Sequence, residues 1–403
     1  MISKLPPKGM RDFLPSQVRA RNLLLQKIRE TYSSYGFVEI ETPCIEDISL
    51  LLSKQGGDNE KLMYKILKRG DKLAKSSNED LCDLGLRFDL TLPLSRYYAN
   101  NIGSLPPVFK VMHIGNVFRA DRPQNGRYRQ FVQCDIDIIN EPTILAEIEL
   151  INATSAALFA VGIRGAKVII NDRNLLKLLA SYCGFAEEQY DEVFITLDKL
   201  DKIGYDSVYE ELITTASKDA SAKLVATIQQ IRASNDQLNC VRSVLGSLAE
   251  PYIDSLSQII CSAEATFDIT LVRGMNYYTG TIFEVTTPEL PYSVAGGGRY
   301  DKLIEKVSGT PTCACGFSIG FERISAYLGD NVDLPKQQAI AFVFDKAYIS
   351  QISKIFDLVK EYRKDNVCSI FTKSKNFSYQ IKSLYNNSFT AIMVYNGNTF
   401  EEI

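Results

Sequence analysis

Histidine is nearly missing from this chain: His113 is the single one among 403 residues. Multi-histidine metal centres and most imidazole-based acyl transfer are therefore excluded. His113 lies in VFKVMHIGNVF, a strand-like run where a packed histidine is expected. No apolar stretch approaches the roughly 20 residues that span a bilayer, and the opening MISKLPPKGMRDFLP has no apolar signal core, so a cytoplasmic chain without membrane contact is expected. The nine cysteines (44, 82, 134, 183, 240, 261, 313, 315 and 368) are odd in number, scattered and without a C-x-x-C pair. Neither a disulfide framework nor a zinc site is indicated; reduced, mostly buried thiols and no resident metal are expected. G-x-x-x-x-G-K-[ST] and G-x-G-x-x-G are absent too, so nucleotide binding through a P-loop or a Rossmann turn is unsupported. Large excess charge is lacking as well: the net value is −3, and nucleic acid would have to be met by local patches.

What is present begins with a hairpin armed for anions. NVFRADRPQNGRYRQFVQCDIDIIN sets Arg119, Arg122, Arg127 and Arg129 around a Pro-Gln-Asn-Gly turn, then alternates polar and apolar residues. Strand side chains alternate faces, so Phe131, Gln133, Asp135 and Asp137 share one side while Val132, Cys134, Ile136 and Ile138 share the other. One face is core and one is a site. Fixed guanidinium forks suit phosphates, and the carboxylates suit a cationic or hydrogen-bonding group; the competing reading is a solvated hairpin with surface charges. LRFDLTLP repeats the pattern as a second strand, with Arg87, Asp89 and Thr91 on one side and Leu86, Phe88, Leu90 and Leu92 on the other. Two such strands suggest an antiparallel sheet used as the floor of a ligand site.

The length calls for two or three domains. Apolar residues at helical spacing predict a helix from Ser16 to Tyr35, followed by a strand, FVEIETP, ending at Pro43. The Lys-rich stretch 65–80 reads as an exposed hairpin or loop. Residues from about 172 to 263 read as a helical insertion; strand patterning returns at FDITLVRGMNYYTGTIFEV and at a glycine-dense AGGGRYDKL. Gly296, Gly297 and Gly298 suit either a phosphate cradle or a strand-end turn where backbone approaches a ligand. Residues 335–403 alternate strand (AIAFVF), helix (Tyr348 to Arg363), strand (CSIFT), helix (Tyr379 to Asn386) and strand (FTAIMVY), a small α/β domain with a parallel sheet.

Read jointly, these segments resemble the histidyl-tRNA synthetases, class II aminoacyl-tRNA synthetases, over essentially the whole chain. PPKGMRDFLP stands at the start, the long helix and the strand to Pro43 resemble class II motif 1, and FRADRPQNGRYRQF resembles motif 2. LVRGMNYYTGTIFEV and AGGGRYDKL resemble the two histidine-family signatures, and GFSIGFERI resembles motif 3. The resemblance implies an α+β fold: a catalytic domain, residues 1–330, whose antiparallel sheet is flanked by helices and interrupted by the helical insertion, and a C-terminal anticodon-binding-like domain, 335–403. That second domain is short by about one strand, and the Lys-rich stretch is longer than the resemblance leads one to expect.

The activity implied is ATP-dependent formation of histidyl-adenylate, then transfer to the 3′ end of tRNA(His). The implied partners are L-histidine, ATP, Mg²⁺ carried largely by phosphate oxygens and water, tRNA(His), and a second copy joined through the motif 1 helix and strand. Carried over by position, Arg119 and Arg273 would support the α-phosphate during attack. Asp121, Arg127, Phe131 and Arg323, with Arg119, would bind ATP. Asp89, Thr91, Gln133, Asp137, Tyr277, Tyr278 and Tyr300, again with Arg119 and Arg273, would hold histidine. The alternative from a different class is the non-catalytic paralogue that serves as histidine-binding regulatory subunit of ATP phosphoribosyltransferase. It usually lacks the C-terminal domain and has eroded arginines, whereas Arg119, Arg127, Arg273 and Arg323 all stand here.

Overall fold

The computed structural model describes residues 3–52, 63–76, 81–123, 126–273, 277–329, 332, 339–387 and 389–403. Two compact units emerge, Met1–Val332 and Asp333–Ile403. The boundary positions 330 and 335, the two central turn residues of the arginine hairpin, and 77–80 of the Lys-rich stretch lie outside the described residues.

In the first unit, helix α1 (Pro15–Ser34) opens with proline at its first turn, where no amide donor is needed, and Gln17 accepts from the Leu14 amide at 2.8 Å. Leu24, Ile28 and Tyr32, four residues apart, form its buried stripe. The strands follow as β1 (Val38–Ile40), β2 (Ile45–Asp47), β3 (Tyr64–Leu67), β4 (Cys82–Leu86), β5 (Phe109–Phe118), β6 (Gln130–Ile139), β7 (Lys167–Asp172), β8 (Ala265–Phe267), β9 (Thr281–Thr287), β10 (Leu290–Arg299) and β11 (Ala314–Gly320). The large sheet has the order β1-β5-β6-β11-β10-β9-β7-β8. Every inner pairing is antiparallel, and only β1 and β8, at the two edges, are parallel to their neighbours. A smaller antiparallel sheet, β2-β4-β3, includes part of the Lys-rich stretch, which forms β3 and a short helix, Asp71–Ala74.

Helix Leu145–Val161 packs against α1, β6 and β11, covering the sheet face opposite the polar row. Cys134, Ile136 and Ile138 of β6 are fully buried in that core. Between β7 and β8 come successive helices from Arg173 to Ala263. The alternation read in β6 therefore holds.

The second strand of the sequence reading does not. LRFDLTLP leaves the sheet after Leu86, and a helix runs from Thr91 to Asn101. The Asp89 carboxylate accepts from the Leu92 amide at 3.1 Å, and Pro93 falls in the first helical turn, where its missing donor costs nothing. Arg87, Phe88, Asp89 and Leu90 are all buried, so no two-faced pattern exists. Arg87 is not on the ligand floor. Its guanidinium donates to the carbonyls of Thr42 (2.8 Å) and Asn116 (2.7 Å), tying the chain after β1 to β5. His113 is packed, 1% exposed, with Nε2 3.3 Å from the Thr42 hydroxyl; burial pushes its pKa down to about 3, so it stays neutral. None of the nine cysteines is paired, and only Cys134, Cys183 and Cys315 are buried, fewer than expected.

The second unit is a four-stranded sheet, β13-β12-β14-β15, of β12 (Ala339–Phe344), β13 (Val367–Thr372), β14 (Ala391–Tyr395) and β15 (Phe400–Glu402). Three strands are parallel, as the alternating pattern requires, while β15 returns antiparallel on β14. Three residues carry too little periodicity for β15 to be seen in sequence. Among the described residues no helix is long and apolar enough to cross a membrane.

Candidate active site

A cleft of about 450 Å³ opens over the polar face of β6, β10 and β11. Its lining includes every residue to which the family resemblance gives a role: Asp89, Thr91, Arg119, Asp121, Arg127, Phe131, Gln133, Asp137, Arg273, Tyr277, Tyr278, Tyr300 and Arg323. They come from well-separated parts of the chain, brought together by the sheet.

One group is carboxylate and phenol. Asp137 accepts from the Tyr300 hydroxyl at 2.5 Å, and Tyr277 sits edge-on to Tyr300 and against Tyr278. Asp89 and Asp137 are buried, and desolvation raises their pKa values to about 6 and about 7; the Leu92 amide and Arg119 oppose the shift at Asp89, the Tyr300 hydroxyl at Asp137. Asp135 is also buried and raised well above the ordinary carboxylate range, first by desolvation and next by Asp137. Three carboxylates gathered on one wall make a field that favours a cationic ligand nitrogen.

The other group is guanidinium. Arg273 pairs with Glu284 at 2.7 Å, and Arg323 donates to the Ser293 carbonyl at 2.6 Å and lies over the Tyr292 ring. Burial first, and next the neighbouring Arg127, lower the Arg323 pKa. Arg119 links the groups: its Nε donates to the Phe88 carbonyl at 2.9 Å and its head lies over the Phe131 ring. Arg129 faces elsewhere, donating to the Asp121 carbonyl, so it shapes the hairpin instead of lining the cleft.

The glycines lie within β10, not in a strand-end turn, and their reason is close approach. A Cβ on Gly296 would collide with the Arg273 guanidinium, and one on Gly297 with the backbone of Gly316 and Phe317. One on Gly316 would collide with the Asp137 carboxylate. The cleft exists because these positions lack side chains.

Sequence reasoning left several lining residues unassigned. Asp135 stood in the polar row but had no role; Ser318 faces it across the β6·β11 ladder. Glu322 is buried and paired with Arg21 (2.7 Å) and Arg11 (2.5 Å), more than 300 residues away in sequence, a separation no local pattern signals.

A family model described as histidyl-tRNA synthetase matches residues 9–324. A histidine–tRNA ligase of Leifsonia xyli is 45% identical over 366 residues, covering 85% of this chain and 84% of its own. A probable histidine–tRNA ligase of Tropheryma whipplei is 43% identical, covering 84% of each. Among solved structures, the histidyl-tRNA synthetase of Nostoc sp. PCC 7120 aligns with a TM-score of 0.77 at 23% identity, covering 98% of this chain and 93% of that one. An ATP phosphoribosyltransferase regulatory subunit/histidyl-tRNA synthetase of Bacillus halodurans C gives 0.79 at 21%, covering 98% of both. The last two likenesses speak to fold; the family match and the close relatives speak to descent. This chain belongs to the histidyl-tRNA synthetase family.

Proposed function

We propose that the chain is a histidine–tRNA ligase, an aminoacyl-tRNA synthetase that takes histidine, ATP and tRNA as substrates. The observation that carries this reading is one cleft in which a guanidinium group and a buried carboxylate group face the same space. The histidine carboxylate oxygen attacks the α-phosphorus of ATP, the bond to the β-phosphate bridge breaks, and pyrophosphate leaves. A ribose hydroxyl at the tRNA 3′ end then attacks the adenylate carbonyl and releases AMP. Positioning and charge stabilisation suffice for both steps, so no protein nucleophile is needed.

In this reading Arg119 and Arg273 hold the α-phosphate and the carboxylate, Arg127 and Arg323 the outer phosphates and the adenine face, and Asp121 and Phe131 the adenine. Asp89, Thr91 and Gln133 take the α-ammonium group. Asp137, tuned by Tyr300, takes one imidazole nitrogen as Tyr277 and Tyr278 close the pocket; a neutral imidazole offers one donor and one acceptor. Mg²⁺ enters as part of the ATP substrate, held by phosphate oxygens and water. Glu284 and Glu322 are each engaged by arginines, which leaves phosphate oxygens and water to carry the ion.

We further propose that residues 335–403 contact the tRNA anticodon, that the helices of 172–263 form an insertion in the catalytic domain of residues 1–330, and that α1 and β1 pair two copies into a homodimer. A tRNA substrate implies work in the cytoplasm, beside translation. The test is histidine-dependent ATP–pyrophosphate exchange by the purified chain. Exchange with histidine alone among the amino acids supports the ligase; histidine binding without exchange would favour the regulatory-subunit reading.

A further inference from the structure

Gln133 carries an orphan. Its side-chain Oε1 is buried with no hydrogen-bond partner, although the residue lines the cleft and is only 9% exposed. Its Nε2 is fully engaged: it donates to the Ser318 hydroxyl at 2.8 Å and to Asp135 Oδ1 at 3.4 Å. Ser318 stands opposite Asp135 in the β6·β11 register, and its hydroxyl favours the ionised form of the Asp135 carboxyl. The direction of every bond follows. In the ionised form, which the Ser318 hydroxyl and the Arg119 charge favour, Asp135 only accepts, so the serine proton points to Asp135, the serine lone pair receives one amide proton, and Asp135 receives the other. Rotating the amide by half a turn would bring its oxygen against a carboxylate and against a hydroxyl whose proton is already used.

We infer that Asp135 and Ser318 are positioning residues that lock the Gln133 amide with its carbonyl oxygen toward the substrate, making it an acceptor for the α-ammonium group of the amino acid. This rests on the ligase reading above and adds a specificity device to it. An acceptor left buried and unpaired is unfavourable in the free protein, and a ligand N–H removes that deficit. A ligand of the same shape without the ammonium group leaves the oxygen orphaned. Discrimination against the des-amino analogue therefore depends on two residues that never touch the substrate.

The lock makes a particular rescue possible. Asp135→Asn alone replaces the carboxylate acceptor with an amide that can turn either way, so the Gln133 orientation is released. Combining it with Gln133→Glu exchanges donor and acceptor within the pair at constant total charge: the new amide at position 135 would donate to one carboxylate oxygen at position 133, and the other oxygen would face the cleft as an acceptor. In pyrophosphate exchange with the full chain, Asp135→Asn should raise the KM for histidine about tenfold or more, with the KM for ATP within about twofold. Ser318→Ala should move the histidine KM in the same direction. The double variant should return it to within about threefold of the unsubstituted chain. Imidazolepropionate, which lacks the amino group, should bind the unsubstituted chain and Asp135→Asn equally in calorimetric titration. The lock is overturned if Asp135→Asn raises both KM values alike, if it leaves histidine binding unchanged, or if the double variant is no better than the single one. Absence of histidine-dependent exchange by the unsubstituted chain would strike the ligase reading instead, and calorimetric histidine binding would still judge the lock.

Discussion

Tyr300 donates its hydroxyl proton to Asp137 across 2.5 Å, and both side chains are buried beneath the cleft. The pair joins β6 to the residue that follows β10, so the carboxylate is aimed from two directions. Tyr300→Phe removes the donor while preserving the ring. The histidine KM should rise by about ten- to a hundredfold, because one buried acceptor loses its partner, while the ATP KM stays within about twofold. Steady-state exchange kinetics decide it; equal changes for both substrates would make the pair structural.

Asp89 and Asp137 have folded pKa values of about 6 and about 7, raised by burial. A raised carboxylate favours the protonated folded form, so its contribution to stability is complete below the unfolded value of about 4 and is lost as pH rises through the folded value. The free protein should therefore lose on the order of a few kcal/mol between about pH 4 and about pH 7 from these two groups. Histidine binding should oppose the trend, since a cationic ammonium favours ionised partners. Its affinity should climb from about pH 5.5 to about 7.5 with release of protons, measurable by titration calorimetry in buffers of different ionisation enthalpy.

Arg273→Ala should lower exchange by about a hundred- to a thousandfold, the usual loss when one preorganised charge at a developing anion is removed. The fold should survive. The Arg273–Glu284 pair is a quarter exposed on each side, and such pairs contribute roughly 1 kcal/mol or less to stability. A thermal melt beside the exchange assay separates the two effects.

Gly296 and Gly297 are neighbours with opposite sensitivities. A methyl at Gly297 meets backbone, 2.8 Å from the Phe317 Cα, and neither strand can yield without breaking the β10·β11 ladder. Gly297→Ala should cost about 1–3 kcal/mol or more of stability. A methyl at Gly296 meets only the end of the Arg273 side chain, which can swing aside. Gly296→Ala should melt near the unsubstituted temperature and yet lose most of its exchange activity.

The two-residue period of β6 was legible because one face is wholly apolar and the other wholly functional: Cys134, Ile136 and Ile138 against Gln133, Asp135 and Asp137. The glycine run was legible only as a need for bare backbone: the sequence offered a phosphate cradle or a strand-end turn beside a ligand, whereas the neighbours that require it, Arg273 and the Gly316 backbone, are set by strand order, which no local pattern encodes. LRFDLTLP misled for a related reason. Its apolar and polar residues alternate, yet Asp89 serves as both a helix-entry acceptor and a cleft carboxylate, so one residue meets two demands that the strand template cannot separate. Arg87 looked like a ligand group because its carbonyl partners, Thr42 and Asn116, are invisible as sequence features.

Glu322 has a practical consequence for anyone producing this protein. Its carboxylate is gripped by Arg11 and Arg21 and accepts from the Val132 amide of β6, while the Arg129 amide donates to the Gly9 carbonyl. The amino-terminal stretch is thereby stitched to the hairpin that carries Arg119 and Arg127. Trimming that stretch, or fusing a bulky affinity tag close to it, would disturb the nucleotide side of the cleft even though the change is confined to a tail.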